Sequence, residues 1–311
     1  MWFKNLQIYR LPHPWNVTRD VLDESLQGRL FHPCGSQDAR SLGFTPPRAE
    51  APDRLVHAVG GHWLLQLTIE ERLLPAAVIQ QEANERAAKK AEEQGYPLGK
   101  KALRELKERI SEELLPRAFT RRRRTALWID PENGWLGVDA ASLVKAEEAL
   151  ETLRDALGEL PLTLVRTQIS PTAAMADWLA AGEASAGFVI DRDCELVSAA
   201  EEKSAVRYVR HPLNDESVSA EIRAHLAAGK FPVKLALTFD DRLSFLLTEK
   251  GEIKRLAFLD VVKEESETLD AAEVFDAEFA LQSGEFTRLL PALMEALGGE
   301  IVEKGAGNAP Q

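Results

Sequence analysis

Two helix-length segments separated by a three-residue breaker constrain this chain more than any other feature. Pro75 suits a first helical turn, and the Ala-rich stretch after it carries a helix to about position 94. Gly95, Tyr96 and Pro97 interrupt it, and a second helix is expected over residues 100–115. Leu103, Leu106, Ile110 and Leu114 recur there at helical spacing, so a single stripe is apolar. Lys100, Lys101, Arg104 and Lys107 lie mostly off that stripe. Joined by so short a loop, the two helices make a projecting helical hairpin.

The flanks read as hairpins and short helices. A strand is expected over residues 2–11 and a Thr18-capped helix over 19–30, with Val21, Leu22, Leu26 and Leu30 on one face. Residues 31–47 read as loop. Gly60-Gly61 marks a hairpin within 57–69, and Asn133-Gly134 marks one joining 125–130 to 135–138. Helix 141–157, strand 161–167 and helix 172–181 follow. Then come strand 205–210, helix 217–228, a meander of strands at 233–239, 243–248 and 253–258, and an acidic helical stretch over 270–300. Adjacent hairpins without a regular βαβ order predict an α+β fold of antiparallel sheets with packed helices. At 311 residues, two or three units are expected. They are a central α+β domain (1–75 plus 125–167), the basic arm (76–124) and a C-terminal α+β domain (168–303). A disordered tail (304–311) follows them.

The charge is unevenly placed. From Arg86 to Arg124 there are 13 Lys and Arg against 6 Glu, a net of +7, so the rest of a chain of net charge −12 carries −19. A polyanion binder needs positive potential only where the polyanion lies. The plainer reading is a solvated helical hairpin with a basic exit. Three i,i+4 pairs favour it: Glu82–Arg86, Glu85–Lys89 and Glu105–Arg109, each stabilising an exposed helix by about 0.2–0.5 kcal/mol. Lys90, Lys100, Lys101 and Arg104 have no acid four positions earlier. Arg121, Arg122, Arg123 and Arg124 would face both sides of a strand, whereas in a loop all four could reach one phosphate backbone.

Catalytic signatures are absent from the sequence: no P-loop, dinucleotide fingerprint, HExxH, GxSxG or CxxC. His57 and His62 have the only spacing worth weighing for zinc. Asp191 with Asp193, and Asp240 with Asp241, could hold Mg²⁺ in a nuclease, although the second pair falls in an expected turn. Cys34, in Pro-Cys-Gly-Ser, reads as a small buried thiol rather than a nucleophile. No cofactor or metal is expected. The two cysteines are far apart and no 18-residue apolar run occurs, so a reducing cytoplasm is the expected location.

Six segments carry a resemblance across the chain: WFKNLQIYRL at 2–11, FHPCGSQDARSLGFTPP at 31–47, LLPRAF at 114–119, WIDPENGWLGVDAAS at 128–142, GKFPVKLAL at 229–237 and EALGGE at 295–300. In this order they resemble the RdgC family of proteobacterial recombination-associated proteins. The resemblance implies a cytoplasmic, nucleoid-associated protein without enzymatic activity. It also implies a homodimer closed head-to-head and tail-to-tail into a ring around double-stranded DNA. Such a ring binds with little regard to sequence and restrains the RecA recombinase by occupying its DNA.

Carried onto LLPRAF, the resemblance makes Phe119 the dimer contact at the ring's gate and places Arg117 beside the DNA path. Candidate DNA contacts on the arm are Lys89, Lys90, Lys100, Lys101, Arg104 and Arg117. Arg121, Arg122, Arg123 and Arg124 at its exit join them, with Arg210 beyond it. The run of four arginines departs from the family's mixed basic and polar stretch. Arg207 and Arg210 would face opposite sides of one expected strand, so only one of them can face the DNA. Two other classes stay open: a regulator that contacts the recombinase directly, and a metal-dependent nuclease.

Overall fold

In a computed structural model, residues 2–48, 50–185, 187–199, 204–263 and 271–301 are described. The expected tail at 304–311 lies outside them. The fold is α+β, built on two antiparallel sheets. The first contains β1 (Gln7–Arg10), β2 (Arg40–Thr45), β3 (His57–Val59), β4 (His62–Arg72), β5 (Thr120–Asp130), β6 (Trp135–Val138) and β7 (Thr163–Leu164). Their spatial order is β2-β4-β5-β6-β1-β7, with β3 paired to β4. The second holds β8 (Phe188–Ser198), β9 (Ala205–Tyr208), β10 (Lys230–Phe239), β11 (Leu243–Thr248) and β12 (Ile253–Phe258), in the order β12-β11-β10-β8-β9. The helices are α1 (Arg19–Gln27), α2 (Ala76–Gln94), α3 (Lys100–Leu114), α4 (Leu143–Leu157), α5 (Pro171–Ala181), α6 (Glu216–Ala227), α7 (Asp260–Lys263) and α8 (Ala271–Ala296).

The period-2 alternation of β4 and β5 serves two cores. Leu65, Leu67, Ile69, Leu127 and Ile129 pack with Leu22 and Leu26 of α1 and with Leu150 and Leu153 of α4. Leu64, Ala126 and Trp128 face the other way, into a larger cluster with Phe286, Leu289 and Leu293 of α8 and the buried residues of the second sheet. Trp128 and Phe3 each meet Phe286 edge-on, at ring separations of 5.2 and 5.4 Å. An isolated bridge between Leu6 and Ile253 ties the sheets together. The C-terminal helix therefore completes the core beneath the N-terminal sheet.

Local signals place most elements. The Thr18 side chain caps α1 by accepting from the Val21 amide, and Gly95 ends α2 in the left-handed conformation. Several expectations need correction. The strand over 2–11 shrinks to Gln7–Arg10, because Lys4 and Asn5 give their amides to the Asp139 side chain and the Phe3 amide goes to Gln282. Val21 and Leu30 are exposed, and only Leu22 and Leu26 carry the inner face of α1.

The expected loop at 31–47 contains β2, which finds its partner in β4. A Cβ at Gly43 would meet the Phe31 backbone at 2.6 Å, so glycine is what lets the chain cross β2 there. The strand expected over 161–167 is reduced to two residues, since β1 offers only Tyr9 and Arg10 as partners. Strand 205–210 ends at Tyr208.

Candidate nucleic-acid interface

β4 and β5 pair along their full length, from Trp63↔Ile129 to Arg72↔Thr120. The α2–α3 arm is thus the elongated tip of a β-hairpin. Its helices hold together through a small core of Ala83, Leu106 and Ile110, with Ile79, Ala87, Leu98, Leu103 and Leu114 around it. The stripe read from the sequence is the α3 side of that core. Arg86 adds a polar clamp, bonding Glu82 on its own helix and Glu113 across the hairpin, both at 2.7 Å.

The four arginines fall in β5, not in a loop, and register decides their partners. Arg121 lies opposite Glu71 and Arg122 opposite Glu70. Arg121 pairs with Glu71 at 3.3 Å, and Arg122 pairs closely with Glu70. Arg123 reaches Glu71 at 3.5 Å and Glu148 of α4 at 2.6 Å. Arg124 is exposed and forms no ion pair among the described residues. The Arg122 guanidinium, and after it the Cys34 amide, holds the Glu70 carboxyl below the usual carboxylate range. Glu70 is 3% exposed, and burial opposes this shift without overcoming it.

The arm helices are different. Lys89, Lys90, Lys100 and Arg117 are exposed and form no ion pair among the described residues. Two expected intrahelical pairs do not form. Glu85 instead accepts from Gln81, and Glu105 faces Lys101 at 4.0 Å, which leaves Arg109 unpaired among the described residues. Arg104 pairs forward with Glu108 at 2.9 Å. In both of these pairs the acid lies four residues after the base.

Phe119 leaves the arm 84% exposed, while Tyr96 at the other end is 65% exposed. The exit that presents Phe119 is bracketed by Arg72. Its guanidinium donates to the carbonyls of Gly35 and Asp38 on one side, and of Pro116 and Ala118 on the other, at 2.9–3.3 Å. The Leu73 amide also donates to the Phe119 carbonyl at 2.7 Å. The CGSQD and LLPRAF segments, remote in sequence, thus meet at one side chain. Nothing in the local pattern of either segment announces Arg72 as their link.

The other sequence candidates lie elsewhere. Arg210 sits past the end of β9 with φ 58°, and Arg207 is bound to Glu195 at 2.7 Å. His57 and His62 do not converge: His57 faces Asp276 at 3.1 Å and His62 faces Asp130 at 3.8 Å. Asp240 is paired with Arg288. Among the described residues no group of three or more His, Cys, Asp or Glu could hold a metal ion. The Cys34 thiol donates to the Glu70 carbonyl at 3.4 Å; burial first, then the Glu70 charge, pushes its pKa up, away from the thiolate a nucleophile needs. No described helix is long and apolar enough to cross a membrane.

Similarity to known proteins covers nearly all of this structure. A family model described as "Putative exonuclease, RdgC" matches residues 1–300. The recombination-associated protein RdgC of Dechloromonas aromatica is 59% identical over 305 residues, which is 97% of this chain and 99% of that protein. Its counterpart in Cupriavidus pinatubonensis is 49% identical, spanning 96% of this chain and 99% of the relative. That of Herminiimonas arsenicoxydans is 46% identical over 98% of this chain and all of the relative. A match over this length, with the CGSQD and LLPRAF segments joined at the base of the arm, means that the chain belongs to the RdgC family.

Proposed function

We propose that this protein binds double-stranded DNA without regard to sequence, as a homodimer that closes around the duplex, and so limits access of the RecA recombinase during homologous recombination. One observation carries the reading. Cations without ion pairs among the described residues run along a projecting arm whose base exposes Phe119, on a body that is otherwise strongly acidic. Cations without base-reading geometry favour phosphate contact, which gives affinity but little specificity. A large apolar side chain exposed where an arm leaves the body suits a self-complementary contact with a second copy across a two-fold axis. The names of the relatives associate those proteins with recombination, and family membership supports extending that role here.

The decisive experiment compares a closed DNA circle with the same DNA linearised, each complex being challenged with high salt after assembly. Retention on the circle with loss from the linear form supports encirclement. Equal loss from both leaves an open electrostatic contact and removes the ring. Mg²⁺ is included in a parallel incubation: shortening of the linear duplex would favour the nuclease named in the family description. Inhibition of strand exchange that persists with DNA in excess would favour direct contact with the recombinase.

A further inference from the structure

Four residues other than glycine adopt positive φ among those described: Arg210 at 58°, Asp240 at 47°, Asp241 at 52° and Arg255 at 51°. The two aspartates make the β10–β11 turn, where Asp tolerates this conformation through its own backbone hydrogen bonds. Arginine has no such compensation. Yet Arg210 and Arg255, far apart in sequence, border one cavity of about 270 Å³ together with Arg192.

Strand irregularities bring these three together. Between Ile190 and Cys194 of β8, three residues stand opposite the single residue Ala236 of β10. Between Ala257 and Lys254 of β12, two residues stand opposite Phe245 alone. Such bulges re-aim side chains and gather at functional sites. Ala236, Ser244 and Leu246 line the cavity, whereas Leu235 and Leu237 point into the core with α5. By strand alternation the cavity therefore opens on the face of the second sheet away from α5. Asp193 organises it: Oδ1 accepts the Arg210 amide at 2.8 Å and Oδ2 accepts Arg255 Nη1 at 3.2 Å. Arg192 and Arg210 form no ion pair among the described residues. Asp191 is the other carboxylate in the lining.

We infer that this cavity is a phosphate-binding pocket, distinct from the arm, in which Arg192, Arg210 and Arg255 take the oxygens of a phosphate group and Asp193 positions two of them. Guanidinium forks match phosphate oxygens, and three of them against the two carboxylates Asp191 and Asp193 leave the lining one positive charge in excess. A backbone phosphate of DNA or a free phosphate compound would satisfy the same chemistry. The DNA source rests on the function proposed above.

The strained residues make a clean test available. Glycine accepts positive φ, so Arg210→Gly with Arg255→Gly removes both guanidinium groups while relieving backbone strain. The full chain is titrated with inorganic phosphate, against sodium chloride of matched ionic strength, and melting is followed. Wild type should melt higher as phosphate is added, by linkage. The double variant should melt no lower than wild type without phosphate and lose that rise. Arg192→Ala, exposed and at ordinary φ, gives an independent second reading.

Duplex binding is then measured against salt. If DNA supplies the phosphate, the slope of log K against log[salt] becomes shallower by about 1 in the variants. A lost phosphate response with an unchanged slope assigns the pocket to a free phosphate compound. Variants that match wild type in both measurements overturn the pocket. Absence of salt-dependent duplex binding in wild type counts against the DNA-clamp reading instead, and leaves the phosphate titration to decide the pocket.

Discussion

Arg121 to Arg124 at the root of the arm and Lys89, Lys90, Lys100 and Arg117 along it carry the same formal charge, and the fold spends them differently. At the root, β4 lays Glu70 and Glu71 opposite Arg121 and Arg122, and α4 supplies Glu148 to Arg123. Three of the four arginines there serve to join strand to strand and strand to helix. Along the arm, no second layer covers the helices, so Lys89, Lys90 and Lys100 find no carboxylate among the described residues. The densest run of positive charge in the sequence is thus a poorer source of outward potential than the scattered lysines before it. Clustered charge becomes a binding surface only where tertiary structure leaves it uncompensated.

The largest expected effect tests this contrast directly. Replacing Lys89, Lys90, Lys100 and Arg117 together with Ala should reduce the salt slope of duplex binding by about 3–4, at roughly 0.9 per phosphate contact. Replacing Arg121, Arg122 and Arg123 should change it far less, because those side chains already hold carboxylates. A larger loss from the second set, measured by fluorescence anisotropy across a salt series, would invert the comparison.

Phe119→Ala comes next. An apolar anchor repeated on both sides of a two-fold contact is expected to be worth about 2 kcal/mol or more, or at least roughly 30-fold in dimer affinity. Sedimentation should show the loss while far-ultraviolet dichroism stays unchanged. A variant with unchanged association would remove Phe119 from the interface. Arg72→Ala should act in the same direction by loosening the bracket around Pro116 and Ala118. Hydrogen bonds from a charged donor are worth about 1.5–3 kcal/mol each, so melting should fall as well. Arg72→Lys, which cannot span four carbonyls, should restore melting only in part.

What could be read from the sequence, and what could not, divides along the same line. The Thr18 cap, the Gly95 stop, the Asn133-Gly134 turn and the α3 stripe are local signals, and each element they mark is present. β2 was missed because its strand character depends on β4, more than twenty residues away. The fate of the arginine run was hidden for the same reason, since Glu70 and Glu71 lie some fifty residues upstream and only register brings them opposite. The Arg72 bracket joins backbone carbonyls, which no side-chain pattern reveals. The exposure of Phe119 contradicts the ordinary preference of phenylalanine for the interior, and the family resemblance is what favours a contact there.

The smallest effect on binding should come from Arg122→Ala, and there the test lies in stability. Glu70 is buried and bonded by the Arg122 guanidinium and the Cys34 amide. Removing Arg122 leaves a buried carboxylate held by Cys34 alone, at a cost of about 1–3 kcal/mol near neutral pH. The sign with pH follows from the lowered pKa of Glu70. A carboxyl with a depressed folded value contributes stability that is present above its unfolded pKa of about 4.3 and is lost as pH falls through the folded value. Wild type and Arg122→Ala should therefore differ most above about pH 5 and converge in acid, as chemical denaturation across a pH series would show. A constant gap at every pH would mean that Arg122 acts by packing on Phe31, over whose ring it lies at 5.4 Å, and not through the Glu70 charge.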